Sequence, residues 1–471
     1  MKINMVQVTF VVVTLVLSGF VVGHAQVSFS DQQVITNAVD FAFTVYACDL
    51  DGDEDMDVLS ASRDGKIAWY QNDGTGNFGD QQIITNHSPG FWGEGPDVYA
   101  CDLNGDGHND VLSVSPADSL IAWNINDGSG VFGDQQNIDT TANWPASVYA
   151  CDLDGDDDMD VLSSLDDKIA WYENDGVGNF GDQQVVHSDG AGSFYVCDLD
   201  GDNDMDVLSS LEDSIAWYQN DGSGNFSDQQ VITTAVEDAL SVYASDLDGD
   251  GNSDVLSASG AWYDFKICWY ANDGGGQFGG QQVITTAVDA PTSIYACDID
   301  RDEDMDVLVL DDRWDMITWF ENDGEGSFGG LQTITQAFET LVSLFPCDLD
   351  GDGDMDVLAG FDEKVAWYEN LLIDTDVENN NRVVHDFRLS QNYPNPFNPT
   401  TVISYQLSVN SPVKLKIYDL SGREITTLVN ERKPAGGYSV EWNAEGLASG
   451  IYYYRLEAGN HIETRKMVVM K

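Results

Sequence analysis

The chain has 471 residues, 82 Asp and Glu against 19 Lys and Arg, and a formal net charge of -63. That length accommodates about two or three domains, and 42% hydrophobic with 11% aromatic content excludes wholesale disorder. So acidic a chain repels phosphate backbones and anionic lipid, which argues against nucleic acid and membrane surfaces as partners. The charge is uneven: residues 27–371 hold 71 acids and 7 Lys or Arg, whereas residues 372–471 hold 11 of each.

Lys2 precedes an apolar run from Val6 to Val22, broken only by Gln7, Thr9, Thr14, Ser18 and Gly19. Gly23-His24-Ala25 then sets small residues at the two positions that a signal peptidase reads. Residues 1–25 are therefore expected to be a secretory signal peptide, cleaved after Ala25. A membrane anchor is the competing reading, but the run is short and ends in a cleavage-like site. No other stretch is apolar enough to cross a bilayer, so no transmembrane segment is expected in the mature chain.

Residues 27–371 repeat with a period of about 50, which usually signals a propeller or a solenoid. The third copy runs from Ser147 to Val186, and its acidic loop begins at Asp152. Equivalent loops begin at Asp49, Asp102, Asp198, Asp246, Asp298 and Asp348, making seven copies. Each copy carries four β-like runs; in the third they span Val148–Cys151, Asp160–Ser164, Lys168–Tyr172 and Phe180–Val186. Asn174-Asp175-Gly176 with Gly178 supplies the positive-φ residues that a tight turn between the last two runs needs. Four strands per repeat make a propeller blade.

The seventh copy stops near Asn370 without its fourth run, and residues 28–36 near the start of the chain have that missing pattern. The first segment is thus expected to complete the last blade, which pairs two edges that an open solenoid would leave bare. The expected class is all-β: a seven-bladed propeller followed by a small Ig-like β-sandwich.

The spacing D-x-D-G-D-x-D-x-D places oxygen side chains at positions 1, 3, 5 and 9 of each loop. Ca²⁺ takes six to eight hard oxygen ligands, and alternate residues of a tight loop converge on one point. The expected ligands are Asp49, Asp51, Asp53 and Asp57 in the first copy, then Asp102, Asn104, Asp106 and Asp110 in the second. The third and fourth copies offer Asp152, Asp154, Asp156 and Asp160, then Asp198, Asp200, Asp202 and Asp206. Asp246, Asp248, Asp250 and Asp254 follow, then Asp298, Asp300, Asp302 and Asp306, and finally Asp348, Asp350, Asp352 and Asp356. Position 7 would offer a backbone carbonyl, so His108 and Asn252 are tolerated there. His108 has no second His or Cys nearby, which argues against a transition metal. Acidic turns without metal are the alternative, but four carboxylates so close repel strongly without a cation. Up to seven structural Ca²⁺ ions are expected, the sixth site being weakest because Arg301 replaces Gly.

With the Asn-Asp-Gly-x-Gly-x-Phe turn, these loops make residues 27–371 similar to the FG-GAP/VCBS repeats of integrin α-chain propellers and bacterial surface proteins. The resemblance implies seven blades with Ca²⁺ between the first and second strands. Glu54, Asp157, Asn203 and Glu303 stand at position 6, where the family often has Gly, and are expected to strain those loops.

Six of the seven cysteines (Cys48, Cys101, Cys151, Cys197, Cys297 and Cys347) share one repeat position, too far apart between blades to bridge. They and Cys268 are expected to be buried thiols despite the exported setting. The repeat tryptophans, Trp69 in the first copy, are expected to pack between blades. Trp92, Trp144, Trp262 and Trp314 break the repeat and, with Tyr263 and Phe91, fall on the face opposite the metal loops. They are candidate contacts for a glycan or protein ligand; the alternative is that they fill gaps under longer loops. No nucleophile, zinc or phosphate-loop motif appears. A binding or adhesion module is the leading reading, with a calcium-dependent polysaccharide lyase or hydrolase as the alternative and a purely structural surface protein as a third.

Residues 372–388 read as a polar linker. Residues 389–471 begin with three prolines and continue as alternating runs at 402–407, 413–418, 424–429, 438–442, 451–457 and 465–469. Asn392–Phe397, Ile417–Arg423, Leu447–Tyr453 and the basic Arg465–Val469 resemble the type IX secretion sorting domain of Bacteroidetes-lineage bacteria. That resemblance implies export to the periplasm, then passage across the outer membrane with the type IX machinery as partner. An ordinary Ig-like carbohydrate module is the competing reading. The protein is therefore expected outside the cell, secreted or held on the outer-membrane surface.

Overall fold

A computed structural model describes residues 27–372 except 91–94, 189–191, 261–264 and 338. Beyond them it describes 388–389, 397, 399–407, 411–419, 423–433, 436–444, 447, 450–458 and 461–469. The expected signal peptide and most of the expected linker lie outside the described residues.

Seven four-stranded antiparallel sheets follow one another along the first unit. The third blade is typical, with strands Ser147–Cys151, Asp160–Leu165, Lys168–Tyr172 and Gln184–His187. Every residue of Asp160–Leu165 is buried, so this strand lacks the alternation of a half-exposed one. Blades cover it on both faces. The fourth strand starts later than its sequence pattern indicates. Phe180 pairs only in an isolated bridge with Asn174, and the Gly181 N–H turns away to the Glu173 carbonyl at 2.8 Å. In the second blade the same strand is continuous from Phe132 to Asp139.

The seventh blade is completed by the start of the chain. Gln33–Thr36 pairs antiparallel with Val365–Tyr368, Gln33 opposite Trp367 and Val34 opposite Ala366. The Leu371 N–H reaches the Ser28 carbonyl at 2.6 Å. The ring is closed.

Seven hydrophobic clusters hold it, and each is shared by two adjacent blades. One joins Val45, Ala47 and Val58 of the first blade to Leu349, Leu358 and Trp367 of the seventh. The next joins Leu59 and Trp69 to Val98 and Val111. Burying one such aliphatic or aromatic side chain is worth roughly 1.5–3 kcal/mol, so each blade draws much of its stability from its neighbours. The repeat tryptophans sit at these seams: the Trp367 ring leaves no room for a side chain at Gly76, where φ is +72°. All seven cysteines are free thiols, with Cys48, Cys268, Cys297 and Cys347 buried. Burial pushes the Cys268 thiol up to about 11.

The chain divides between residues 376 and 377 into two compact units. The second unit is a β-sandwich of a three-stranded and a four-stranded sheet. All six expected strands are present, the longest being Glu424–Lys433, and a short strand Arg388–Leu389 adds an edge that its sequence does not signal. Ile403, Leu415, Ile417, Trp442, Tyr454 and Met467 fill its core. Among the described residues, no helix is long and apolar enough to cross a membrane.

Candidate metal loops and the opposite face

Each acidic loop joins the first strand of a blade to the second and is wound by its own carboxylates. In the first blade, the Asp49 side chain accepts the N–H groups of Gly52 at 2.7 Å and Glu54 at 3.0 Å. Asp53 accepts the Asp55 N–H at 3.1 Å. The bond from position 7 to the position 5 carboxylate recurs in all seven loops. Glu54, Asp157, Asn203 and Glu303 take up left-handed backbone with φ of 73°, 69°, 72° and 74°. These are the four non-glycine residues at position 6, and the conformation is one in which Gly carries less strain.

Position 9 is fully buried. Asp57 accepts the Leu50 N–H at 3.0 Å and the Asn72 N–H at 2.8 Å. Burial pushes its carboxyl up to about 7 despite those two bonds. Asp160 and Asp206 are likewise raised to about 7, and Asp306 and Asp356 to about 8, each chiefly by burial. Asp110 and Asp254 reach about 6 for the same reason.

Position 3 is where the loops lack a partner. One oxygen of Asp51, Asp154, Asp200, Asp248 and Asp300 is buried with no hydrogen-bond donor. Carboxylate oxygens of Asp49, Asp51 and Asp53 lie within 4.8 Å of one another, as do those of Asp152, Asp154 and Asp160. The trios Asp198, Asp200, Asp206; Asp246, Asp248, Asp250; and Asp298, Asp300, Asp302 do the same. Buried, converging and donor-poor carboxylates are a poor arrangement for anions alone and a good one for a hard divalent cation. The residues fit Ca²⁺. The second loop differs, because the Asn104 amide turns to the Asp110 carboxylate at 3.2 Å. The charge of Arg301 does not sit in its own loop. Its guanidinium reaches the carbonyls of Asp352 at 2.6 Å and Gly353 at 3.1 Å in the seventh blade.

Connections from the fourth strand to the next blade share one end of the ring with the turns between second and third strands. That end is opposite the acidic loops and carries Trp144 and Trp314. Trp92, Trp262, Tyr263 and Phe91 lie outside the described residues. Trp144 is 38% exposed and lines a cavity of about 290 Å³ with Phe43, Thr44, Pro96, Asp97 and Pro116. Trp314 is 56% exposed, and its indole N–H donates to Asp289 at 3.0 Å while Arg313 pairs with the same carboxylate at 2.8 Å. The two tryptophans belong to the third and sixth blades, and among the described residues they have separate neighbours.

The innermost strands contribute a feature that sequence reasoning missed. Tyr46, Tyr99, Tyr149, Tyr195, Tyr243, Tyr295 and Phe345 line a central cavity of about 560 Å³. Neighbouring rings lie close, Tyr195 and Tyr243 at 4.4 Å and Tyr99 and Tyr149 at 4.6 Å between centroids. Two residues before each ring the repeat carries a hydroxyl: Thr44, Ser147, Ser193, Ser241, Ser293 and Ser343. The second blade has Asp97 instead. That single departure from the repeat was the available signal.

Comparisons with known proteins agree with this architecture. The FG-GAP-like repeat model matches residues 49–112, 102–163, 198–257, 246–309 and 302–359, together more than half of the chain. The secretion-system C-terminal sorting domain model matches residues 391–470. No curated protein matches the chain. Among solved structures, the BP39L lectin from Burkholderia pseudomallei is similar with a TM-score of 0.56 and 16% identity, over 71% of this chain and 96% of that one. An Agrocybe aegerita lectin, which recognises non-reducing terminal N-acetylglucosamine, has a TM-score of 0.51 and 17% identity, over 67% of this chain and 91% of that one. BBS1N, solved in complex with ARL6DN, has a TM-score of 0.51 and 10% identity, over 74% of this chain and 98% of that one. At such identity these likenesses show the propeller fold alone. The chain belongs to the FG-GAP-like repeat family and carries a type IX secretion C-terminal sorting domain.

Proposed function

We propose that this protein is a calcium-stabilised propeller, exported through the type IX route, that captures a glycan or protein ligand outside the cell. The observation that carries the reading is Trp144, more than a third exposed beside a cavity on the end of the ring away from the acidic loops. A solvent-exposed indole beside an open cavity is the usual means of stacking a sugar ring or anchoring a protein side chain. Ca²⁺ in this reading is structural: it would offset the buried carboxylates of the loops and stiffen the blades from the other end. The likeness to two lectins supports a binding role, and the likeness to a propeller solved with a protein partner keeps a protein ligand in view.

The test is a glycan and cell-surface binding screen of the mature protein, with Ca²⁺ and with a chelator. Capture that needs Ca²⁺ and is lost in Trp144→Ala, with the circular dichroism spectrum unchanged, is the expected result. Uronate release from a pectin-like polymer in the same screen would move the assignment to a polysaccharide-degrading enzyme.

A further inference from the structure

Among the described residues, Asp97 is the one acid that lines the central cavity, and no Lys, Arg or His lines it. Its carboxylate accepts the Thr44 hydroxyl at 2.6 Å and the Val148 N–H at 3.0 Å, and the Val98 N–H also bonds to it. Those donors fix its position between the first and third blades without supplying a counter-charge. Three neutral donors leave the carboxylate with acceptor capacity to spare. Burial in the cavity wall raises its carboxyl above the ordinary range, as enclosure of an unneutralised anion must.

The rest of the lining is neutral and oxygen-rich. Hydroxyls of Thr44, Ser193, Ser241 and Ser293 ring the same level as Asp97, with the aromatic rings next to them along each strand. A calcium ion would find one carboxylate here, whereas the acidic loops offer three or four, so the site does not suit a hard divalent cation. A volume of about 560 Å³ is that of a small-molecule pocket. Thr44 and Asp97 also line the smaller cavity under Trp144, so an indole and a carboxylate serve one opening.

We propose that this channel mouth binds a small sugar bearing a protonated primary amine. The ammonium group donates to Asp97, the sugar hydroxyls exchange hydrogen bonds with the serine and threonine ring, and the apolar face of the sugar lies against the aromatic side chains. The inference rests on the reading of the propeller as a binding module and names a ligand class for one of its sites.

The test is calorimetry of the mature, Ca²⁺-loaded protein at pH 7 with glucosamine, glucose and N-acetylglucosamine. Glucosamine should bind saturably and at least tenfold more tightly than either neutral sugar. Asp97→Ser gives the second blade the residue type found elsewhere in the repeat, and should weaken glucosamine binding at least tenfold while the protein stays folded. Equal binding of glucosamine and glucose by the wild-type protein, which needs no variant to fold, would overturn the proposal. So would undiminished binding by a folded Asp97→Ser variant. Capture in the glycan and cell-surface screen without any glucosamine binding would remove the channel site and leave the module reading intact. Failure of both measurements would remove both.

Discussion

The side-chain amide of Asn72 donates to the Leu349 carbonyl at 2.7 Å, across 277 residues of sequence, and so fastens the first blade to the seventh. The same amide donates to the Met56 carbonyl of its own blade at 2.9 Å. The bond to the preceding blade recurs around the ring: Asn126 to Leu50, Asn174 to Leu103, Asn220 to Leu153, Asn272 to Leu199, Asn322 to Leu247 and Asn370 to Ile299. The Asn of each Asn-Asp-Gly turn is therefore an inter-blade clamp as well as a turn residue.

Replacing Asn72 by Ala leaves the buried Leu349 carbonyl without this donor, at about 1–3 kcal/mol, and removes the weaker, part-buried bond to Met56 as well. We expect Asn72→Ala to lower the unfolding free energy by about 2–4 kcal/mol, as read from urea denaturation. Asn220→Ala, in the middle of the ring, should cost a similar amount. A negligible effect for Asn72 beside a large one for Asn220 would mean that the first and seventh blades are not joined this way in solution.

The repeat, the blade count and the closing strand were legible because a 50-residue period leaves the same polar and apolar marks seven times. Gln33–Thr36 could be placed in the last blade from pattern alone, since every other blade spells out the strand it supplies. Asp97 was not legible as a channel residue, because one acid among 82 means nothing until the strand geometry sets it opposite hydroxyls and aromatic rings. The reach of Arg301 into the seventh blade was hidden for a related reason. Its sequence position fixes its loop, but a long side chain is free to serve the neighbour. Strand order was enough to group Trp144 and Trp314 at one end of the ring, while their separation needed the ring itself.

Ca²⁺ removal tests the acidic loops. A ligand present at 100 times its dissociation constant adds about 2.7 kcal/mol per site, so several occupied sites together would contribute a large share of the stability. A chelator is expected to lower the melting temperature by about 10 °C or more, and added Ca²⁺ to restore it. Asp51→Asn keeps the shape but removes charge from an oxygen that has no donor, so it should shift the calcium dependence to higher concentration. A melt that ignores both chelator and Ca²⁺ would eliminate the metal reading.

His87 gives a pH dependence with a definite sign. The ring is buried, its Nε2 lies 3.0 Å from the Ser113 hydroxyl, and burial lowers its pKa below the ordinary 6.5 while the Asp118 charge opposes the shift. Folding therefore favours the neutral ring. Its contribution is fully present above pH 6.5 and is lost as the pH falls below the value of the unfolded chain toward that of the folded one. The difference in unfolding free energy between wild type and His87→Gln should thus shrink on going from pH 7.5 to pH 5.5. The comparison cancels the titration of the many carboxylates, which both proteins share. A difference that grows on acidification would show that His87 is charged in the folded protein.

The sorting domain offers a prediction that separates export from folding. Its core, built on Leu415, Tyr454 and Met467, belongs to the second compact unit, and among the described residues the seven clusters that hold the blades include none of its side chains. Deleting residues 389–471 should leave a folded propeller with an unchanged calcium-dependent melt. If the domain is what the type IX machinery reads, the truncated protein will accumulate in the periplasm, as cell fractionation and immunoblotting can measure. Arrival of the truncated protein at the cell surface or in the medium would assign the export signal to another part of the chain. A truncated protein that is retained but unfolded would contradict the independence of the two cores, which the melt of the purified propeller checks directly.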